Sequence, residues 1–310
     1  MFRLYYLYLK LAAVFLRALT KLQWRIAARP DSIEFIPSRD PGRTIKAHYY
    51  QSPASECQKP RRLLINFHGS GFILPLHGSD DSFCRHISQQ TEYSVLDVQY
   101  RLAPESPFPA AVNDVEDAIK WLLCQPQRFD SGSLAISGFS AGGNLALVAC
   151  THLFPPGTFR AALLFYPSTE YSLEPAELVA PDAGGNPLPT AVVRLFQRCY
   201  LQTPVDPMDP RISPGLADQG AFPANILIVT AGYDTLAPEA EKLAKKLQES
   251  PNRHVVAERM EKCDHAWDKL VKPWTREEQL RLRAYDLAVD MLRSEGNGHS
   301  DGVVPVAAGT

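Results

Sequence analysis

The segment Ser137-Gly138-Phe139-Ser140-Ala141-Gly142-Gly143 sets the architecture of this chain. It follows the apolar run Leu134–Ile136 and leads into the helix-prone stretch Asn144–Ala149. The spacing Gly-x-Ser-x-Gly between a strand and a helix predicts a nucleophile elbow, in which the flanking glycines allow a turn so tight that the serine is strained and exposed. Ser140 is therefore the candidate nucleophile.

Segments typical of strands and helices alternate on both sides of this turn. Strands are predicted at 62–67, 94–99, 161–166, 225–231 and 254–260, and helices at 82–90, 109–124, 190–201, 238–249 and 275–293. Short apolar runs that alternate with helices predict an α/β fold with a mostly parallel, doubly wound sheet. Asp31–Pro37 and Ile45–Gln51 predict antiparallel strands at the edge of that sheet.

The segment 168–218 departs from this alternation, because eight prolines surround a single predicted helix. So long an insertion in a compact domain is usually functional, and with residues 1–30 it is expected to form a cap over a substrate pocket. An independent small domain is the alternative, but no fragment of the insertion has enough apolar pattern for its own core. Residues 1–310 are therefore predicted to form one domain with a disordered tail at 294–310.

The composition argues for a small-molecule partner. The net charge is −2, from 32 basic and 34 acidic residues, so no overall field favours nucleic acid. The six cysteines lack the spacing of metal ligands, which predicts free thiols in a reducing compartment; they are Cys57, Cys84, Cys124, Cys150, Cys199 and Cys263. The sequence holds no metal or nucleotide motif, so neither a metal nor another cofactor is expected.

Residues 2–24 are apolar, but Lys10 and Arg17 break every run before it reaches the ~20 residues that span a bilayer. The segment also lacks the single apolar block and cleavage site of a signal peptide, so a cytoplasmic, non-secreted protein is expected. On a helix the basic residues fall on one stripe, formed by Arg3, Lys10, Arg17, Lys21 and Arg25. Two interpretations stay open: a cap helix with this stripe in solvent, or a helix in peripheral contact with a membrane through residues 2–25.

A serine nucleophile needs a histidine base that a carboxylate orients. In a parallel sheet both partners belong on loops after later strands, in the order Ser, Asp or Glu, His. Asp234 follows the predicted strand 225–231, and His265 follows 254–260. The alternatives are a helix cap for Asp234 and an ordinary loop histidine for His265. Asp264 is the second candidate carboxylate, disfavoured because adjacent side chains rarely face each other.

The remaining histidines are poorer candidates for the base. His86 and His152 lie in predicted helices, and His48 lies in a predicted edge strand. The run His77-Gly78-Ser79-Asp80 is a near copy of His68-Gly69-Ser70-Gly71, but it lacks the final glycine and follows no strand. His265 is therefore the preferred base.

The loop His68-Gly69-Ser70-Gly71 follows the predicted strand 62–67 and is the candidate oxyanion loop. Acyl transfer needs N–H donors aimed at the oxyanion, and small residues let such donors approach it. The expected donors are the N–H groups of Gly69 and Ser70, together with that of Ala141 after the nucleophile. Gly71 permits the turn.

With the segment Tyr100-Arg101-Leu102-Ala103-Pro104-Glu105, these motifs resemble an α/β-hydrolase of the hormone-sensitive-lipase-like group, which includes bacterial esterases, arylacetamide deacetylase and fungal carboxylesterases. The resemblance covers about residues 60–293. It implies an α/β-hydrolase fold with a helical cap, and a loop that Arg101 and Glu105 shape without reacting. It also implies a triad and an oxyanion hole, formed by Ser140, Asp234 and His265 and by Gly69, Ser70 and Ala141 respectively.

Three features depart from the usual pattern of this group. Ser70 replaces a glycine of the oxyanion loop, and its side chain is expected to narrow the pocket. Phe139 stands where an aspartate is frequent, and Ala266-Trp267 replaces a common Gly-Phe. Phe139, Gly71 and Trp267 are accordingly expected to belong to the substrate pocket.

The resemblance implies a serine carboxylesterase that cleaves a small or medium, largely apolar ester through an acyl-enzyme, with a natural-product acetate or lactone as the narrower expectation. Amide or N-acyl hydrolysis, as in arylacetamide deacetylase or kynurenine formamidase, is the enzymatic alternative. A non-catalytic small-molecule receptor is the alternative from another class. His265 argues against it, because the gibberellin receptors that resemble this group lack the catalytic histidine.

Overall fold

The computed structural model describes residues 2–24, 26–55, 60–202 and 204–297, and its centre is an eight-stranded sheet. The strands are β1 Ser32–Pro37, β2 Thr44–Tyr50, β3 Arg61–Phe67, β4 Ser94–Val98, β5 Phe129–Phe139, β6 Ala161–Phe165, β7 Asn225–Ala231 and β8 His254–Met260. Their order in the sheet is β1-β2-β4-β3-β5-β6-β7-β8. Strand β2 is antiparallel to both of its neighbours, whereas the other pairs are parallel. The predicted mostly parallel α/β fold is confirmed.

Seven α-helices connect the strands in the described residues. They are α1 Phe2–Gln23, α2 Asp81–Gln90, α3 Ala110–Leu123, α4 Ala141–Val148, α5 Thr190–Tyr200, α6 Ala237–Gln248 and α7 Arg276–Asn297, and a π-helical turn at Ala149–Leu153 follows α4. Helix α7 runs past its predicted end at Arg293, and residues 298–310 of the predicted tail lie outside the described residues. None of the helices in the described segments combines the length and apolarity that crossing a bilayer requires.

The core consists of two layers, one on each face of the sheet. Helices α1, α3, α4 and α6 pack on one face and contribute to a cluster with alternate residues of β3, such as Leu63 and Ile65. Helices α2 and α7 pack on the other face, where Leu64 of the same strand points. Because both faces of the central strands are covered, these strands are rich in apolar residues, as their sequences predict. The described cysteines are free thiols, as expected, and Cys57 lies outside the described residues.

Helix α1 buries only a narrow side against the protein. Arg17 belongs to this side, because its guanidinium donates to the carbonyls of Ile73 (2.8 Å) and Ala103 (2.7 Å) and pairs with Glu105 at 2.8 Å. The expected stripe of basic residues in solvent is therefore wrong at Arg17, and Arg25 of that stripe lies outside the described residues. The outer side of α1 exposes large apolar side chains, including Leu4, Leu7, Leu11, Phe15 and Leu22.

Ion pairs hold the loop that follows β4. Arg101 pairs with the buried Asp114 at 2.8 Å and with Asp40 at 2.7 Å, while Glu105 binds Arg17. Both residues thus stabilise the shape of the loop, as the resemblance implies.

The insertion at 168–218 lies against α1 and against the ends of β7 and β8. Helix α5 contacts α1. The N–H of Asp182 donates to the carbonyl of Gly232 (2.8 Å), and the Asp182 carboxylate accepts the N–H of Lys262 (2.7 Å). These contacts agree with the expected cap at 1–30 and 168–218, which stays a prediction together with the single-domain organisation.

Candidate active site

Ser140 occupies the turn between β5 and α4. Its φ of +52° lies in a region that residues other than glycine rarely adopt, which is the strain that a nucleophile elbow carries. Gly138 and Gly142 have no room for a side chain, since a Cβ at Gly138 would overlap the Gly142 carbonyl and one at Gly142 would overlap that of Phe67. The N–H of Ser140 donates to Phe165 O at 2.9 Å and ties the turn to β6.

The structure brings Ser140, His265 and Asp234 together at the C-terminal ends of three strands. His265 Nε2 lies 2.9 Å from Ser140 Oγ, and His265 Nδ1 lies 2.6 Å from Asp234 Oδ2. Asp234 is fully buried, and its Oδ1 accepts the N–H of Leu236 (3.0 Å) just before α6. Leu236 is the N-cap of α6 and has no side-chain cap bond, so Asp234 does not take the helix-capping role that was its alternative. The arrangement can pass a proton from Ser140 to His265 while Asp234 orients the imidazole.

The neighbouring carboxylate, Asp264, is bonded to the insertion. Its Oδ1 accepts the N–H of Asn186 at 2.6 Å. The edge of the Tyr166 ring packs on the His265 ring, with centroids 4.8 Å apart. His265 is therefore held between Asp234 and Tyr166, a residue that no sequence pattern had marked.

The loop after β3 lies beside the nucleophile, since a Cβ at Gly69 would be 3.6 Å from the Cβ of Ser140. The N–H groups of Gly69, Ser70 and Ala141 have no hydrogen-bond acceptor among the described residues, which leaves them available to a substrate oxygen. Gly69 and Ser70 thus lie on the loop beside Ser140, and Ala141 follows Ser140 at the start of α4; their role as oxyanion donors stays a prediction.

The hydroxyl of Ser70 is engaged within its own loop. Its Oγ accepts the N–H of Phe72 (2.8 Å) and lies 2.7 Å from Tyr100 Oη. Because Tyr100 Oη donates to the carbonyl of His68 (2.6 Å), the Ser70 hydroxyl is the donor to Tyr100. The side chain of Ser70 was expected to narrow the pocket. The structure adds a bracing role: its hydroxyl links the segments on both sides of Gly69, through the N–H of Phe72 and, by way of Tyr100, the carbonyl of His68.

Replacing Ser70 by alanine is expected to lower the free energy of unfolding by about 1–3 kcal/mol, because it leaves the buried N–H of Phe72 without a partner. We also expect kcat to fall by less than the 10²–10³ that loss of an oxyanion donor costs, since the Ser70 N–H remains. Urea unfolding and steady-state kinetics measure both effects. Tyr100→Phe is the matched variant, and unchanged stability in both variants would contradict the bracing role.

Two cavities meet at Ser140. The larger, of about 150 Å³, is mainly apolar, and His265 and the oxyanion loop form one side of it. The smaller, of about 40 Å³, lies beneath the insertion. Both cavities are lined by Gly71, Leu188 and Phe196. The larger cavity is also lined by Trp24, Leu74, Leu76 and Tyr166, and the smaller one by Tyr171, Leu178, Val193 and Leu236.

Gly71 lines both cavities, as predicted, but Phe139 and Trp267 line neither. Phe139 is buried in the core and stacks on Phe165 with centroids 4.5 Å apart. Trp267 packs edge-on against Tyr166 at 5.3 Å. The expectation that both side chains touch the substrate thus differs from the structure, because each points to the α2 and α7 face of the sheet.

A buried ion-pair network reaches the larger cavity through Lys269, which is one of the residues that line the cavity. Lys269 Nζ lies 2.8 Å from Asp80 Oδ1 and 2.9 Å from Asp268 Oδ2. Burial lowers the pKa of Lys269, but the negative charges of Asp268 and Asp80 outweigh this and raise it above its usual value. Tyr166 and Tyr285 donate to the two oxygens of Asp268, at 2.6 and 2.8 Å. The sequence offered no signal for this network, because Asp80 and Tyr166 are far in the chain from the adjacent pair Asp268 and Lys269.

Glu239 holds the loop after β6 from the first turn of α6. Its Oε1 accepts the N–H of Thr169 at 2.8 Å, whereas its Oε2 is buried without a partner. Burial raises the pKa of Glu239 to about 8, although the N–H groups of Thr169 and Glu170 act in the opposite direction. This carboxyl therefore keeps its proton at neutral pH in the folded chain.

We expect the stability of the wild type to fall by about 2 kcal/mol between pH 6 and pH 8 through Glu239 alone. The pKa of Glu239 is higher in the folded chain than in the unfolded chain, so over this range the folded chain holds a proton that the unfolded chain has lost. The free energy of unfolding therefore decreases as the pH rises toward 8. Glu239→Gln should remove this slope. Urea unfolding of both proteins at pH 6 and 8 measures it, and equal slopes would refute the assignment.

Sequence and structure both match known proteins. A family model described as an alpha/beta hydrolase fold matches residues 64–269. The chain is 34% identical over 218 residues to carboxylic ester hydrolase LipN of Mycobacterium tuberculosis, a match that covers 67% of this chain and 57% of LipN. It is 30% identical over 231 residues to the ethyl acetate hydrolase of Pseudomonas putida, with 72% of each chain covered. A hyperthermophilic esterase from Pyrobaculum calidifontis superposes with a TM-score of 0.72 and 26% identity, over 96% of this chain and 94% of that one.

Proposed function

Because this chain belongs to the α/β-hydrolase fold family, we propose that it is a serine carboxylesterase with Ser140, His265 and Asp234 as its catalytic residues. The resemblance inferred from the motifs is thereby confirmed at the level of the family. The observation that carries the proposal is the pair of contacts from His265, one to Ser140 Oγ and one to Asp234 Oδ2. The ester hydrolases among its relatives support the same activity.

In the proposed mechanism Ser140 Oγ attacks the ester carbonyl and its proton passes to His265 Nε2. The oxyanion accepts hydrogen bonds from the N–H groups of Gly69, Ser70 and Ala141. His265 then gives the proton to the departing alkoxide, which leaves as the alcohol, and Ser140 retains the acyl group. Water attacks this acyl-enzyme, its proton returns through His265 to Ser140 Oγ, and the acid leaves.

The two cavities support a small, largely apolar ester. The alcohol must leave next to His265, which lines the larger cavity, so that cavity suits the alcohol group. The smaller cavity, of about 40 Å³, suits a short acyl chain such as acetyl. Among the described residues that line the smaller cavity, Glu170 is the only one with an acidic or basic side chain, so an anionic acyl group would find no cationic partner there.

The test is a panel of chromogenic esters in which acyl length and alcohol size vary separately. We expect kcat/KM to fall steeply with acyl length and weakly with alcohol size. Val193→Ala should extend the accepted acyl chain, whereas Leu74→Ala, in the larger cavity, should alter only the preference for the alcohol. Matched anilides test the amide-hydrolase alternative, and higher kcat/KM for anilides than for esters would overturn the ester assignment.

We also propose that the outer side of α1 contacts a lipid surface. Leu4, Leu7, Leu11 and Phe15 are exposed on one side of this helix, and Lys10 is exposed beside them. An apolar helix face flanked by lysine suits the boundary of an anionic membrane. The peripheral contact considered from the sequence gains support from this exposure.

Cosedimentation with phosphatidylcholine vesicles, with and without phosphatidylglycerol, tests the contact. Wild type should bind the anionic vesicles, and the double variant Leu11→Ser/Phe15→Ser should bind them much less. Leu282→Ser, which removes an exposed leucine from α7, is the matched control. Binding that is equal in all three proteins, or absent in wild type, would exclude α1 as the contact.

A further inference from the structure

A cluster of histidines and one aspartate lies on the α2 and α7 face of the sheet. His48 of β2 and Asp97 of β4 are directly opposite each other in the antiparallel pairing of these strands, so their side chains share a face. His77, from the loop between β3 and α2, packs over them, with its ring centroid 4.1 Å from that of His48. The three side chains are at most 7% exposed.

This cluster contains buried polar atoms that have no protein partner. Within the described part of the chain, His48 Nδ1 and Asp97 Oδ2 have no hydrogen-bond partner, and Nε2 of the neighbouring His68 has none either. Buried polar atoms without partners are rare in folded proteins, because each costs about 1–3 kcal/mol. Two such atoms within one small cluster indicate that something outside the chain satisfies them.

We propose that His48, His77 and Asp97 bind a divalent transition-metal ion such as Zn²⁺. One ligand atom from each of the three side chains lies within 4.8 Å of the other two. His77 Nε2 lies 3.4 Å from Asp97 Oδ2, close to the ligand separation of about 3.4 Å that bonds of 2.0–2.2 Å give at a tetrahedral angle. The same nitrogen lies 3.0 Å from the Asp97 carbonyl, so a bound ion would replace the hydrogen bond that Nε2 donates to this carbonyl. Two imidazoles and a carboxylate are a donor set for first-row transition metals.

The surroundings of the cluster suit a metal. Asp97 Oδ1 accepts the side-chain N–H of Asn66 at 2.9 Å, which orients the carboxylate and leaves Oδ2 free toward the histidines. A neutral imidazole offers one ring nitrogen as a metal ligand, and His48 Nδ1 is a buried ring nitrogen without a hydrogen-bond partner among the described residues. No motif predicts this site, because its ligands come from three separate elements; the expectation of no metal rested on local spacing alone.

A metal here would stiffen the oxyanion loop. The His77 ring lies 5.7 Å from the His68 ring, which in turn stacks on Tyr100 at 4.5 Å. His68 is the residue before Gly69, and its carbonyl accepts the hydroxyl of Tyr100. The proposed role is therefore structural, and the site is separate from the groups that act on the substrate.

The test is direct metal binding by the full chain after chelator dialysis. Titration with Co²⁺ should produce visible ligand-field absorption that saturates at one ion per chain, and Zn²⁺ should displace it. Zn²⁺ should also raise Tm by several degrees, because a ligand that binds only the folded state stabilises it. Failure of the folded wild type to bind either ion stoichiometrically would overturn the proposal.

Variants locate the site. His77→Ala removes a ligand on a loop, and Asp97→Asn keeps the shape of a buried ligand, so at least one is expected to fold as judged by circular dichroism. Each should lose at least about 100-fold in metal affinity. His152→Ala removes an exposed histidine elsewhere and should bind as wild type does. Equal affinity in all these variants would place the ion elsewhere and refute the assignment.

Discussion

Ser140→Ala is expected to lower kcat/KM for a chromogenic acetate or butyrate ester by about 10⁴–10⁶-fold, with the fold intact. The reason is that the variant cannot form the acyl-enzyme. The N–H groups of Gly69, Ser70 and Ala141 can still bind the carbonyl oxygen of the ester. The residual rate should approach that of water attacking an ester held in the oxyanion hole. Steady-state kinetics measure the loss, and labelling by a fluorophosphonate probe, detected by mass spectrometry, reports the nucleophile itself.

Ser82→Ala provides the control, since Ser82 is exposed in α2. It should retain wild-type kinetics and the fluorophosphonate label, whereas Ser140→Ala should lose both. If Ser140→Ala hydrolysed esters as fast as wild type, the proposed mechanism would be wrong. If the probe failed to label folded wild type, the non-catalytic receptor would become the better interpretation.

Asp234→Asn has the second large expected effect, a decrease in kcat of about 10⁴. An asparagine at this position donates its amide N–H to His265 Nδ1, so the ring proton moves to Nε2, and His265 can no longer accept the proton of Ser140. The asparagine oxygen can still accept the Leu236 N–H, so the start of α6 should be preserved. Kinetics at pH 7 and thermal unfolding of the same samples separate the catalytic effect from a loss of structure.

Asp264→Asn is the matched variant, because Asp264 precedes His265 but bonds Asn186 of the insertion. Its activity should stay within about tenfold of wild type. Equal losses in the two variants would show that geometry alone cannot distinguish the two carboxylates and would reopen the choice between them.

Local sequence predicted most of the machinery. The elbow could be recognised because tight turns accept only small residues, so Gly138 and Gly142 mark the turn at Ser140 wherever the strand and helix flank it. Asp234 and His265 could be found because the carboxyl ends of parallel strands meet at one edge of the sheet. These inferences need only short-range pattern and one rule of topology, and the structure places all three residues within hydrogen-bond distance.

The pocket could not be predicted in the same way. Phe139 and Trp267 lie within two residues of Ser140 and His265 in the sequence, yet both point into the core on the α2 and α7 face of the sheet. The backbone path of each loop sets these directions, and the sequence motifs do not encode it. Ser70 was recognised as a departure, but its hydroxyl bonds Tyr100, thirty residues later. Arg17 faces the protein rather than solvent because the loop around Glu105 reaches α1.

The turn at Ser140, the order of its partners and the oxyanion loop follow from the amino-acid sequence, since each depends on backbone conformations that a few adjacent residues impose. The tertiary structure alone decided which distant groups meet. Examples are the ion pair of Lys269 with Asp80, the hydrogen bond from the Thr169 N–H to Glu239, and the cluster of His48, His77 and Asp97. These meetings depend on strand register and loop paths, which result from packing of the whole chain and leave no periodic signal in it.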